Sequence, residues 1–302
     1  MRRSSDGMMV ASMDLASFVD ALRPYVRPTT DVLDRRNPDA VAVARDLLGP
    51  FLQAWFAPEV TGLEHLPPGG TLVVANHNGG IIAPDMFALM HAVWSTCGPD
   101  LPTYGLAHDT IMKAPILGPV VGAIGAVPAH PANADALLRR GAKVLVFPGG
   151  DVDAWKPFSA RREVRFGGRT GFIRTALRTG VPIVPVVAVG AHETFVVLSD
   201  GRELVKRFGL KRLLRLEVLP ISLTFPWGLT PGPLPFVPMP AKIRIQVLEP
   251  FRLPYGPDAA DNRELVTRLA EDLRREMQHT LVKMTDDGGS GVRARLAEIV
   301  GR

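Results

Sequence analysis

The chain has 302 residues, 46% of them hydrophobic and 22% charged, with a formal net charge of +5. That much apolar material excludes a wholly disordered chain and supplies a core for one large domain or two small ones. Its single cysteine, Cys97, excludes an intramolecular disulfide and a cysteine-based zinc cluster, and points to a reducing, cytoplasmic compartment.

At the amino terminus two arginines precede an apolar stretch that Asp14 and Asp20 interrupt, so a signal peptide's continuous apolar core is not expected. Residues 14–60 carry apolar residues at mixed spacings of three and four, broken by Pro24, Pro28 and Pro50, which predicts helices. In the second of these, Val41, Leu48, Leu52, Trp55 and Phe56 share one broad apolar face. Arg45 and Asp46 are the only charges between Val41 and Pro58, so the face reads first as core and second as a membrane contact. Residues 1–62 are set apart as an N-terminal helical segment.

From Leu63 onward short β-rich runs alternate with helical ones. Strands are predicted at 71–76, 143–150, 181–190 and 241–251, and helices at 84–95, 108–113, 131–141, 168–180 and 261–284. Near-continuous apolar strands between helices predict an α/β fold over residues 63–255, a mostly parallel central sheet flanked by helices, followed by C-terminal helices over 256–302. The longest charge-free stretch, 218–241, is long enough to cross a bilayer, but its seven prolines remove backbone donors. An apolar surface loop is expected instead, exposing Phe225, Trp227, Leu229, Phe236 and Val237 as a cover over the core or a membrane-facing patch. Gly-Gly-Ser-Gly at 288–291 reads as a flexible joint before a short terminal helix.

Two predicted strands end in glycine turns, "NHNGG" at 76–80 and "FPGGDVD" at 147–153, and open α/β sheets bind ligands beyond the carboxyl ends of strands. Neither turn carries a phosphate loop's Gly-Lys-Ser/Thr or a full GxGxxG, and "VVGAIGAV" at 120–127 has only half of the latter. No GxSxG elbow is present. The seven histidines lie singly, without the spacing of two metal ligands on one helix face, so no metal is expected. The basic balance suits nucleic acid, an anionic lipid surface or an acidic ligand, and charge alone does not separate these.

His77 remains as the candidate base. A lone histidine at a strand end is by default a structural hydrogen-bonding residue. Here Asn76, Gly79 and Gly80 supply a turn whose backbone can approach a substrate closely. Asp85, at the start of the next helix, can return to one imidazole nitrogen and leave the other to take a proton from an attacking hydroxyl.

At these residues the chain resembles the glycerolipid (lysophospholipid) acyltransferase superfamily, whose first motif is a His and an Asp separated by four residues. Phe147-Pro148-Gly149-Gly150 is similar to the second motif of its diacylglycerol-acyltransferase-like bacterial branch, which reads Pro-Gly-Gly rather than Pro-Glu-Gly. The run from 165 to 186, ending in "VPIVPV", resembles that branch's next block, and "PMPAKIRIQVLEPF" at 238–251 its closing strand. The resemblance covers roughly residues 63–255 in four ordered blocks. It implies transfer of a fatty acyl group from acyl-coenzyme A or acyl carrier protein to a lipid hydroxyl, with His77 as general base and Asp85 orienting it. It further implies that Asn76, Gly79, Gly80, Phe147, Pro148, Gly149, Gly150 and Arg169 face the substrates, with amides around Gly149 and Gly150 on the oxyanion. No cofactor beyond acyl-coenzyme A as co-substrate is implied, and no nucleic acid. The implied location is peripheral, on the inner face of the plasma membrane, with 218–241 and the N-terminal helices against lipid.

Two departures from the family pattern bear on mechanism. Seven residues, not four, separate His77 from Asp85, although Pro84 can start a helix with Asp85 in its first turn. Gly149 stands where relatives acting on phosphorylated acceptors commonly have Glu, Asp151 follows Gly150, and 125–133 has no Arg. A carboxylate facing a phosphate repels it, so a neutral acceptor such as a diacylglycerol or a long-chain alcohol is expected. Lys156, Arg161, Arg162, Arg165 and Arg169 offer another route to an anion site, or to the donor's phosphates, or are a solvated basic loop. The alternatives left open are a lysophospholipid or lysophosphatidate acyltransferase, a thioesterase or esterase, and a noncatalytic lipid-binding protein.

Overall fold

The computed structural model describes residues 15–301 except 28, 81, 208–217, 233 and 235. The charge pattern read at residues 1–14, the interruption at Pro28, and Pro233 and Pro235 of the charge-free stretch lie outside the described residues. The strands are β1 (Glu59–Thr61), β2 (Thr71–Ala75), β3 (Thr103–Ala107), β4 (Ala126–Pro128), β5 (Lys143–Val146), β6 (Ile183–Val189), β7 (Val196–Ser199), β8 (Ile221–Thr224), β9 (Gly228–Pro231) and β10 (Arg244–Val247). The helices are α1 (Leu15–Leu22), α2 (Pro38–Phe56), α3 (Pro84–Cys97), α4 (Asp109–Lys113), α5 (Leu117–Ala123), α6 (Pro131–Arg139), α7 (Asp151–Ala154), α8 (Gly171–Thr179), α9 (Arg202–Arg207), α10 (Arg263–Asp286) and α11 (Gly291–Val300).

An apolar run such as Leu72-Val73-Val74-Ala75 is stable as a strand only where both faces are covered. Every residue of β2 is buried, in the middle of a seven-stranded sheet ordered β1-β10-β6-β2-β5-β3-β4. The strands from β6 to β4 in that order are mutually parallel, β10 is antiparallel to β6, and β1 runs parallel to β10. Successive side chains point to opposite faces. Val73 and Ala75 join Val184, Val186 and Ile245 under α1, α2, α3 and α5, while Leu72 and Val74 join Val144, Ile183 and Val187 under α6, α8 and α10. Each large side chain fully buried this way contributes about 1.5–3 kcal/mol.

The face of α2 predicted as apolar is core: Val41, Leu48, Leu52 and Phe56 are buried against the sheet. Asn37 caps the helix through its side chain, and Pro50, expected to interrupt it, lies inside one continuous helix whose burial on either side of the proline holds it together.

The 218–241 stretch is not a loop throughout. Its β8 pairs antiparallel with β9 on one side and with β7 on the other, making a separate three-stranded sheet ordered β7-β8-β9. Ser222, Thr224 and Thr230 are buried and tied together by the Thr224 and Thr230 hydroxyls at 3.1 Å and by Thr230 Oγ1 donating to the Ser222 carbonyl at 3.1 Å. Leu223, Phe225, Trp227, Leu229 and Val237 are exposed, whereas Phe236, expected outside with them, is buried against Phe195 in a small apolar cluster.

The joint at 288–291 is pinned as well. Gly291 and Lys242 exchange backbone hydrogen bonds at 2.8 and 2.9 Å, and the Glu193 carboxylate accepts from the Val292 amide at 3.0 Å.

Candidate active site

The carboxyl end of β2 opens between its two neighbours, β5 and β6. Asn76 continues the pairing to β6 with its side chain, donating from Nδ2 to the Ala188 carbonyl (3.0 Å) and accepting from the Ala188 amide (2.8 Å). Its side-chain oxygen and nitrogen both go to the sheet, so Asn76 anchors the turn.

His77 follows. Its amide donates to Asp153 Oδ2 at 2.6 Å, and its ring stacks on Phe147 with centroids 4.3 Å apart and planes at 26°. Nδ1 lies 3.7 Å from Asp85 Oδ2, close enough for electrostatic pairing and beyond hydrogen-bond length. Nδ1 is shut off from solvent with no hydrogen-bond partner, while the side chain as a whole keeps 17% exposure, so the open edge of the ring carries Nε2.

Asp85 is buried in the first turn of α3, where the helix dipole favours a carboxylate. Oδ2 accepts from the Asn78 amide at 2.8 Å and Oδ1 from the Met86 amide at 2.9 Å. The described residues between His77 and Asp85 therefore bring the carboxylate back to the imidazole. Gly79, Gly80 and Ala83 all have positive φ (80°, 57° and 46°), and Pro84 then opens α3. A Cβ on Gly79 would strike the Pro84 ring, and one on Gly80 would sit 2.7 Å from the Phe195 ring. The glycine pair is thus required to fold Asp85 back to His77 and to seat the turn on Phe195.

The second motif sits beside it. Phe147 supplies the ring under His77, and a Cβ on Gly149 would strike the Arg165 carbonyl and Asp153. Gly150 turns the chain with φ +48°, and its amide donates to the Phe147 carbonyl at 3.0 Å, which takes that amide away from an oxyanion role. Arg169 clamps the turn from outside, donating from Nη1 to the Pro148 and Gly149 carbonyls (3.1 and 2.6 Å) and from Nη2 to Asp151 (3.1 Å).

Sequence reasoning missed Asp153. Beyond the His77 amide, its Oδ1 accepts from Lys156 Nζ at 2.6 Å and from the Arg165 amide at 3.2 Å, with both ionised side chains fully buried. Its only signal was a carboxylate three residues before a lysine. The basic group read as an anion site is dispersed. Lys156 is spent on Asp153, Arg162 pairs with Asp286, and Arg161 lies over the Phe158 ring at 4.4 Å. Arg165 and Arg169 line a separate groove. Below the site His192 donates from Nε2 to the Lys156 carbonyl at 2.8 Å, and burial, with Lys156 adding to it, pushes its imidazole down to about 3. Among the described residues no group of three or more His, Cys, Asp or Glu side chains is arranged to hold a metal ion.

Residues 57–189 match the family described as Acyltransferase. An uncharacterized protein of Mycobacterium tuberculosis (strain ATCC 25618 / H37Rv) is 34% identical over 245 residues, 80% of this chain and 66% of that protein. Diacylglycerol O-acyltransferase 2-like protein 6 of Bos taurus is 27% identical, over 68% of this chain and 64% of that one. Phytyl ester synthase 2, chloroplastic, of Arabidopsis thaliana is 26% identical, over 61% and 27%. The chain thus spans just under two thirds of the length of the first two relatives. The crystal structure of the 1-acyl-sn-glycerophosphate (LPA) acyltransferase PlsC from Thermotoga maritima superposes with a TM-score of 0.46 at 19% identity, covering 82% of this chain and 85% of that one. The matched family span takes in both glycine turns and runs to the end of β6, and the chain belongs to the glycerolipid acyltransferase superfamily.

Proposed function

We propose that the protein moves a fatty acyl group from acyl-coenzyme A, or acyl carrier protein, to the hydroxyl of a neutral lipid such as a diacylglycerol or a long-chain alcohol. The observation that carries this reading is the His77 ring, with Nδ1 turned to buried Asp85 and the edge bearing Nε2 open at the end of β2. With the proton on Nδ1 facing the carboxylate, Nε2 is free to accept the acceptor's hydroxyl proton as the oxygen attacks the thioester carbonyl. The tetrahedral intermediate collapses by breaking the carbon–sulfur bond, and the proton passes to the departing thiolate. No covalent enzyme intermediate is required. The 3.7 Å separation shortens to a hydrogen bond when substrate closes the site, as catalytic contacts commonly do.

Two observations favour a neutral acceptor. The surroundings of the turn are aromatic, with Phe147 on His77, Phe195 and Trp155 in edge contact behind Gly80, and Phe236 against Phe195. The nearby cations are committed elsewhere: Lys156 to Asp153, and Arg169 to the second turn and Asp151. The names of two relatives, a diacylglycerol acyltransferase-like protein and a phytyl ester synthase, point the same way.

The same reading puts the outward face of the β7–β9 sheet against lipid, on the inner face of the plasma membrane. In β8 and β9 the polar-in, apolar-out alternation is the reverse of that in a sheet built to face water. Among the described residues no helix is long and apolar enough to cross a membrane.

The test is incubation of purified protein and its His77→Ala variant with radiolabelled acyl-coenzyme A and, in parallel, diacylglycerol, a long-chain alcohol, lysophosphatidate or no acceptor. Label in a neutral ester that vanishes with His77→Ala is the expected result. Label in phosphatidate overturns the neutral acceptor, and free fatty acid alone overturns transfer in favour of hydrolysis.

A further inference from the structure

A groove of about 630 Å³ lies beside the second glycine turn, between the 165–174 segment, α9 and α10. Its volume is that of a site for a cofactor-sized ligand. Six arginines line it, Arg165, Arg169, Arg174, Arg202, Arg263 and Arg274, against one lining carboxylate, Glu271. Arg263, Thr267, Ala270, Glu271 and Arg274 form a single stripe on α10, and the amino end of α8, where Thr170 makes no side-chain cap, borders the same space.

Four of these arginines have acidic partners: Glu163 for Arg165 (2.7 Å), Asp151 for Arg169 (3.1 Å), Asp200 for Arg202 (3.1 Å) and Glu271 for Arg274 (2.6 Å). Among the described residues Arg174 and Arg263 make no ion pair. Two guanidinium nitrogens, Arg174 Nε and Arg202 Nη2, are buried with no hydrogen-bond acceptor. A buried charged donor left without an acceptor is costly, and the excess of cations over carboxylates makes clustered anionic oxygens the complementary ligand.

We infer that this groove holds the nucleotide phosphates of a coenzyme A thioester, an assignment that rests on the acyl-transfer reading. The number of guanidinium groups exceeds what one phosphate monoester can engage and fits a 3′-phosphate together with a pyrophosphate. The wall between groove and reacting centre is short: the Arg165 amide and the His77 amide donate to the two oxygens of one Asp153 carboxylate. The pantetheine arm then leads the thioester along the Pro148–Gly150 turn that Arg169 clamps.

The test is calorimetric titration with adenosine 3′,5′-bisphosphate, which needs no turnover and is run on the wild type and on His77→Ala. The wild type is expected to bind it, with affinity falling as salt rises, and Arg174→Gln/Arg263→Gln to bind about tenfold or more weakly. The same double variant raises KM for acyl-coenzyme A by a similar factor and leaves kcat within about twofold. Arg263→Gln alone, on the exposed first turn of α10, serves if the Arg174 change prevents folding. Arg275→Gln, on the same helix outside the groove, binds as the wild type does. Absence of bisphosphate binding, unchanged binding by the double variant, competition by glycerol 3-phosphate but not by the bisphosphate, or activity only with acyl carrier protein each overturns the assignment. His77-dependent transfer without bisphosphate binding overturns the groove alone, whereas bisphosphate binding without transfer leaves the groove and overturns the transferase.

Discussion

At the scale of single residues, two carboxylates divide the control of His77. Asp153 fixes its main chain and Asp85 faces Nδ1, so the two have separable signatures. Asp85→Asn can still accept from the Asn78 amide but no longer steadies an imidazolium. Its expected effect is a fall in kcat of about 10²–10⁴-fold with KM nearly unchanged. A kcat within threefold of wild type in steady-state assays would sink the dyad. Asp153→Asn leaves the Lys156 ammonium buried and unpaired, which costs about 3–5 kcal/mol of stability in denaturant titration. Asp153→Leu/Lys156→Met recovers only part of that loss, since it removes the unpaired charge but leaves the His77 and Arg165 amides without their acceptor. Activity of this double variant stays low, because Leu offers the His77 amide no acceptor. His192 gives a pH signature. Burial holds its imidazole down at about 3, against an ordinary value of 6.5 in the unfolded chain. Between these values the unfolded state binds the proton and the folded state does not. Stability therefore rises with pH across that window and is lost as pH falls from 6.5 towards 3, by up to about 1.4 kcal/mol per pH unit. His192→Gln keeps a donor for the Lys156 carbonyl and removes the titration, so urea midpoints at about pH 4.5 and 7 are expected to lie closer together than in the wild type.

At the scale of elements, the β7–β9 sheet makes the sharpest claim. Leu223 and Leu229 pair across strands on the exposed face, next to Phe225 and Trp227 in the connecting turn. Fully burying each such side chain is worth about 1.5–3 kcal/mol, so losing two of them lowers vesicle affinity by at least about tenfold even with shallow insertion. Leu223→Ser/Leu229→Ser is expected to show that loss in liposome flotation while retaining turnover of a short-chain, soluble substrate. Unchanged flotation would remove the membrane role from this face. The same sheet shows where the sequence was hard to read. β2, β5 and β6 announce themselves as apolar runs because the central sheet is covered on both faces, and β10, Arg244-Ile245-Gln246-Val247, reads by its alternation. β8 and β9 alternate with the wrong residues inward, Ser222, Thr224 and Thr230, among prolines, so their period of two read as a loop. β4 is a three-residue edge strand ending in Pro128, and its neighbour β3 contains Gly105 and is only partly buried, so neither carries a strong apolar signal. His77, Asp85 and the Phe147–Gly150 turn were legible because strand ends and turns have local signals. The Asp153–Lys156 pair and the arginine groove were not, since charges brought together by tertiary contact have no period along the chain.

At the scale of the molecule, the C-terminal helix is built into the sheet's edge. Arg295, almost fully buried, donates from Nη2 to the Gln53 and Ala54 carbonyls near the end of α2, at 3.3 and 2.5 Å, capping a helix whose own last turn carries no basic residue. Glu298 accepts from Arg295 at 3.0 Å and pairs with Lys242, which also reaches Glu59 of β1. Three segments distant in sequence, α2 with β1, the start of β10 and α11, are thereby joined through one network of charge-assisted bonds. Removing residues 289–302 would strip the α2 carbonyls of their donor and leave Lys242 with Glu59 alone. Each lost charge-assisted bond of this kind costs about 1.5–3 kcal/mol, so the truncated protein should unfold at lower urea concentration in one cooperative transition that includes the sheet. Arg295→Gln should give part of the same shift. A truncated protein with an unchanged midpoint would show α11 to be an appendage, with the glycine joint before it free as its composition first suggests.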